Sequence, residues 1–184
     1  MTTSMKAKPA RARYSKIERL ARDLLEKNDI SSPSVPIFEI AEREGAEIQI
    51  KRFNNEISGL LLRTGDRSII GVEKSQTTTR QRFTVAHELA HLLLHDGEEI
   101  RVDTNFRINL RSAASSTAEN VEEIESNAFA ATILMPEDFL KKDLSGFLLD
   151  IEDAEQMQQL SLRYEVSVQA MTIRLMNLIS LGRI

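Results

Sequence analysis

The sequence predicts an α+β fold in which a small, mainly antiparallel sheet sits among helices. Strand-like runs crowd into one stretch, roughly Ala46 to Phe53, Ile57 to Arg63 and Arg67 to Glu73, the last two joined by Thr64-Gly65-Asp66 as a hairpin turn. Apolar residues at helical spacing fill the chain on both sides of that stretch. One helical run is apolar around most of its circumference and carries His87-Glu88-Leu89-Ala90-His91.

Residues 1–12, with Pro9 and small or basic side chains, have no apolar pattern to fold around and read as a disordered basic tail. From Tyr14 onward Ile17, Leu20, Ala21, Leu24 and Leu25 share a helical face, until Asn28 and the Ser31-Ser32-Pro33 cluster end the run. A shorter helix carries Ile37, Ile40 and Ala41 and stops at Gly45. After the strands, Thr78 with Gln81 three residues later resembles a capping box, setting a helix from about Thr79 to His95, before Asp96-Gly97. Its residues Phe83, Val85, Ala86, Leu89, Ala90, Leu92, Leu93 and Leu94 predict burial on more than one side. Residues 97–116 read as a loop able to gate a cleft, with Val102, Phe106, Ile108 and Leu110 suited to short extended pieces. A capping box from Ser116 to Glu119 opens the next helix, which Pro136 terminates after Met135. An acidic stretch from Glu137 to Glu155 leads to two helical segments, near Asp153 to Arg163 and Ser167 to Ile179, around Tyr164-Glu165-Val166. The expected organisation is a tail (1–12), a principal domain (13–150) and a C-terminal helical tail (151–184) packed on it or extending it.

At 184 residues and 41% hydrophobic, the chain can bury the core of one domain. It has no cysteine, so any metal site must be built from histidine and carboxylate. No apolar run approaches about 18 residues, and the basic amino terminus lacks an apolar signal core, so a cytoplasmic protein without membrane insertion or secretion is expected. The net charge of -4 argues against broad binding to nucleic acid. Lys6, Lys8, Arg11, Arg13, Lys16, Arg19 and Arg22 face only Glu18 in the first 22 residues, but without interleaved aromatics a solvated tail running into a helix face is favoured.

Positions i and i+4 of a helix lie about 6 Å apart along the axis on nearly one face, so His87 and His91 can converge on one ion. Glu88 beside them is placed to accept a proton from a water held there, as in the HExxH pattern of zinc metallopeptidases. A catalytic zinc site needs a third protein ligand. His95 lies eight residues beyond His87, about 12 Å along the same helix, and cannot reach that ion, so a structural or supporting role is expected. No Gly-directed turn brings a later histidine back, as the long metzincin pattern requires. Carboxylates remain, at Glu122, Glu123 and Glu125. Glu123 and Asn127 are i and i+4, which lets Glu123 ligate while Asn127 supports a metal-binding histidine through its second ring nitrogen. Glu125 points to a different side of the helix, and Glu122 leans about 100° away from Glu123. Alone, such a cluster reads as a solvated first turn favoured by the helix dipole. With an HExxH upstream that lacks a ligand, Glu123 is preferred.

The stretch Arg82-Phe83-Thr84-Val85-Ala86-His87-Glu88-Leu89-Ala90-His91-Leu92-Leu93-Leu94-His95, then Glu123-Ile124-Glu125-Ser126-Asn127-Ala128-Phe129-Ala130-Ala131 with Leu134-Met135-Pro136, resembles the ImmA/IrrE family of metallopeptidases. Weaker similarity extends the match over roughly residues 14–182. The resemblance implies a small zincin-like domain of the minigluzincin type with a C-terminal helix-turn-helix-like tail. It implies one Zn2+ per chain on His87, His91 and Glu123, with Glu88 as base. The implied activity is that of a zinc metallo-endopeptidase cutting a helix-turn-helix repressor to switch on mobile-element, prophage or stress-response genes. Ala90 stands where many members have Gly and Ser126 where Ala is usual, both small. Longer relatives of the radiation-response type carry an additional sensor-like domain, which is not expected within these 184 residues.

The competing reading is a regulatory protein that captures a repressor without cutting it, its zinc structural or inactive. Glu88 speaks against it, because a structural site has no use for a carboxylate beside its first ligand. Residues 153–179 resemble a helix-turn-helix, yet the second of its two segments has only Arg174 as a base-reaching cation before Arg183, so direct DNA binding is not expected. Tyr14 and Tyr164 sit at apolar positions and read as core. Arg80 and Arg82 either hold substrate carbonyls or pair with acidic residues, the structural role being favoured. Arg67 to Glu73 is a candidate strand for pairing with an extended substrate.

Overall fold

The computed structural model describes residues 11–53, 57–65, 67–96, 100–104, 118–146 and 149–184. Helices α1 (Tyr14–Lys27) and α2 (Ile37–Arg43) precede strands β1 (Ala46–Lys51), β2 (Ile57–Thr64) and β3 (Arg67–Glu73). The long helix α3 (Thr78–Leu94) leads to β4 (Ile100–Thr104), followed by α4 (Ala118–Leu134), α5 (Glu137–Leu144), α6 (Ala154–Tyr164) and α7 (Val168–Ser180). The tail 1–10, Asp66, Phe106, Ile108, Leu110 and the capping residue Ser116 lie outside the described residues, as does most of the expected 97–116 loop.

The sheet order is β1-β3-β2-β4. The β2–β3 hairpin and the β2–β4 pair are antiparallel, whereas β1 runs parallel to β3. The sheet is thus mixed, with antiparallel pairing in the majority. Because β3 is hydrogen-bonded on both sides, it has no open edge, and the expectation that Arg67 to Glu73 receives a substrate strand is corrected. Among the described residues β4 is an edge, and it forms where only short extended pieces were expected.

The apolar stripe of α1 buries Ile17, Ala21, Leu24 and Leu25, and the Asn28 amide donates to the Leu24 carbonyl at 2.7 Å where the helix ends. α2 stops at Gly45, whose φ of +91° is open to glycine but strained for a residue with a Cβ. α3 begins one residue earlier than expected. Thr77, not Thr78, is its cap, accepting from the Arg80 N–H at 3.4 Å, and Gln81 reaches the Glu73 carbonyl instead of closing a box. Every residue from Arg82 to His91 is buried, since α3 packs between the sheet and α4. The helix ends at Leu94, and His95 is already extended.

Helix α5 was not expected from the acidic stretch. Its charged surface hides a single fully buried residue, Leu140, and a Glu137–Lys141 pair at 2.7 Å supports its exposed face. Tyr14 is 57% exposed, which corrects its assignment to the core. Tyr164 is fully buried, its hydroxyl donating to Asp143 at 2.9 Å. One continuous apolar cluster joins Ile17 of α1 to Met157 of α6 and to Met171, Leu175 and Leu178 of α7. Arg174 turns inward and donates to the Met135 carbonyl at 3.2 Å, so the cation considered for base contacts is committed to the fold. No helix among the described residues is long and apolar enough to cross a membrane.

Arg82 is structural. It is 5% exposed, donates to the carbonyls of Val35 at 2.8 Å and Glu165 at 3.1 Å, and pairs with the Glu165 carboxylate at 3.2 Å. It thereby ties α3 to the segment before α2 and to the turn between α6 and α7. Arg82→Ala removes the charged donor from the carbonyls of Val35, which keeps the Ile37 N–H at 2.9 Å, and of Glu165, and is expected to cost about 2–3 kcal/mol of unfolding free energy. Urea denaturation reads this directly, and a change below about 0.5 kcal/mol would place the contact with ordinary surface pairs.

Candidate metal centre

Burial of α3 on several faces places its polar residues in a dry environment, with His87, Glu88 and His91 all fully buried. Their period brings the two imidazoles together, Nε2 to Nε2, at 3.0 Å. Helix α4, packed along α3, delivers Glu123 to the same point: its carboxylate oxygens lie 3.4 Å from His87 Nε2 and 3.3 Å from His91 Nε2. His87, His91 and Glu123 thus offer ligand atoms all within 4.8 Å of one another, a group that could hold a metal ion.

The electrostatics favour neutral imidazole beside ionised carboxylate. Burial pushes His91 down to about 3, outweighing the Glu123 carboxylate that would raise it. For Glu123 burial favours the neutral acid, but hydrogen bonds and charge from His87 and His91 together hold it well below the usual carboxylate range.

Glu88 lies against β2. A Cβ built on Gly59 would stand 2.8 Å from Glu88 Oε1 and 2.5 Å from Thr84 Cγ2, so only glycine lets the carboxylate occupy this place. β2 is irregular between Ile57 and Gly59, opposite β4. An isolated glycine in a strand pattern was the available signal for Gly59.

His95 is outside the group of three and meets it through His91. Its Nδ1 lies 3.0 Å from His91 Nδ1, and its Nε2 lies 2.9 Å from Glu125 Oε2. Glu125 is fully buried on another side of α4 from Glu123. Arg13 clasps it with its backbone N–H at 2.7 Å, Nε at 2.8 Å and Nη2 at 2.6 Å. Burial raises Glu125, but Arg13 and His95 outweigh that and hold it down to about 2. Asn127, expected to meet the second nitrogen of a ligating histidine, does not do so for His91, because His95 occupies that place. Asn127 is buried, and its Oδ1 makes no hydrogen bond among the described residues.

Three arginines around the centre were not read as part of it. Arg101 of β4 pairs with Glu123 and, at 3.3 Å, with Glu122. Arg63 of β2 donates to the His91 carbonyl at 2.6 Å and the His95 carbonyl at 3.2 Å, satisfying acceptors at the C-terminal end of α3. Arg13, counted above with a solvated basic tail, is instead half-buried on Glu125.

Two histidines one turn apart on a buried helix and a carboxylate from a second helix, with a mixed sheet behind them, form a group that could hold a metal ion. The Peptidase_M78 model, described as the IrrE N-terminal-like domain, matches residues 41–176. This chain belongs to that metallopeptidase family. Among solved structures, a Mycobacterium tuberculosis transcriptional regulator is similar in fold, with a TM-score of 0.57 and 13% identity over 85% of this chain. This chain spans 45% of that regulator's length. None of the curated proteins compared with this chain matches it.

Proposed function

We propose that this protein is a zinc-dependent endopeptidase in which His87, His91 and Glu123 hold one Zn2+ and Glu88 is the catalytic base. The spacing of the donor atoms carries the reading. They stand 3.0, 3.3 and 3.4 Å apart, and a tetrahedral zinc with bonds of about 2.0–2.1 Å sets its ligand atoms about 3.3–3.4 Å apart. Two imidazoles and one carboxylate are a donor set suited to zinc, and three protein ligands are the number usual in catalytic sites.

Zinc bound there would supply Lewis acidity to a peptide carbonyl and to the attacking water. Glu88, beside the first ligand, takes the proton of that water and passes it to the leaving amine. Asn127, one helical turn beyond Glu123, is assigned to steady His87. β4 pairs with a strand on one side only among the described residues and brings Arg101 to the cluster. It is the strand assigned to hold an extended substrate through main-chain hydrogen bonds. Gly59→Ala is expected to push Glu88 out of line and lower cleavage about 100-fold while zinc content is kept. Turnover per bound zinc checks this, and an unchanged rate would show that Glu88 has room to spare.

From membership of this metallopeptidase family and the resemblance to ImmA/IrrE proteins, we propose a cytoplasmic helix-turn-helix repressor as substrate, its cleavage releasing mobile-element, prophage or stress-response genes. The test is to mix the zinc-loaded protein with helix-turn-helix repressors of the same genome and follow their intact masses. One repressor should yield a discrete fragment pair that disappears with chelator. Repressors that all remain intact, while the protein holds its zinc, would refute this substrate class.

A further inference from the structure

Beyond the three candidate ligands, a series of polar contacts runs from His91 through His95 and Glu125 to Arg13, the residue at the start of α1 and 112 positions from Glu125. We infer that His95, Glu125 and Arg13 act as a positioning chain that fixes His91 in the one tautomer able to ligate through Nε2. The inference rests on reading the cluster as a metal centre. It follows from the direction of each hydrogen bond.

A carboxylate paired with a guanidinium can only accept, so across the 2.9 Å contact His95 Nε2 is the donor. A neutral imidazole carries one proton, which leaves His95 Nδ1 as an acceptor. Across 3.0 Å that acceptor faces His91 Nδ1, which must therefore carry the His91 proton. His91 Nε2 is then a bare lone pair, and it is this atom that faces His87 and Glu123. Reversing any link would place a proton on the nitrogen that must bind metal. Arg13 anchors the far end with three donors on one carboxylate, including its own backbone N–H, so the orientation of Glu125 is set by the start of α1. Contacts of this kind behind a ligating histidine are worth roughly 10–100-fold in metal affinity.

The test uses the full chain. Zinc dissociation constants from chelator competition, and the visible spectrum of the cobalt-loaded protein, are compared for wild type, Arg13→Ala and Arg13→Lys. Arg13→Ala should bind zinc about 10–100-fold more weakly and shift the cobalt bands, and Arg13→Lys should recover part of the affinity. Long-range proton–nitrogen spectra of the zinc-loaded wild type, which need no variant to fold, should show His95 as the Nε2–H tautomer. Zinc affinity within twofold of wild type in Arg13→Ala, or an Nδ1–H tautomer at His95, would overturn the inference. If the wild type binds zinc no better than His87→Ala, the metal-centre reading itself fails. If only the Arg13 variants match wild type, the centre stands and the positioning chain falls.

Discussion

Glu88→Gln should leave zinc affinity within twofold of wild type and lower the proposed peptide cleavage by about 10²–10⁴-fold, the range usual for a lost general base. The substitution is isosteric, which matters here because Glu88 is fully buried and its carboxylate fills the space that Gly59 leaves open. An amide fits that space but cannot take a proton from the attacking water. Glu88 is also outside the group of three that could hold the metal, so the metal content should not follow the activity. Rates measured at matched zinc content give the comparison. If Glu88→Gln cleaves as fast as wild type, the base lies elsewhere.

The second large effect separates two glutamates only two positions apart. Glu123→Ala should reduce zinc affinity by more than the roughly 10–100-fold lost with outer contacts, because it deletes a ligand. Glu125→Ala should stay within that range. It should instead cost stability, since Glu125 is fully buried and holds both Arg13 and His95. Breaking a fully buried pair costs about 3–5 kcal/mol, and because Arg13 is 35% exposed a loss of about 2–3 kcal/mol is expected. Metal analysis and urea denaturation of both variants read the two effects separately. A Glu125→Ala protein without zinc beside a Glu123→Ala protein that keeps it would exchange the roles of the two residues.

The residues that meet at the centre were legible where helical periodicity alone decides the neighbours. His87 and His91 share a face because they are one turn apart, and Glu123 was preferred to Glu122 and Glu125 for its i, i+4 pairing with Asn127 and for the ligand that the two histidines lacked. The arginines could not be found that way. Arg101 and Arg63 reach the centre through the pairing of β2 with β4, and Arg13 through the packing of α1 on α4. Such contacts are set by tertiary register, which no local pattern encodes. The hairpin of β2 and β3 was readable from its turn, but the parallel pairing of β1 with β3 was not, and that pairing is what closes β3 to a substrate. α5 escaped because one buried leucine among charges leaves almost no periodic signal.

Diffraction from crystals of the zinc-loaded protein, recorded on both sides of the zinc absorption edge, would locate the ion without any assumption about activity. The expected result is one anomalous peak per chain, ligated by His87 Nε2, His91 Nε2 and a Glu123 carboxylate oxygen. A peak on other residues, or none from protein whose bulk zinc content is one per chain, would contradict the assignment of this centre.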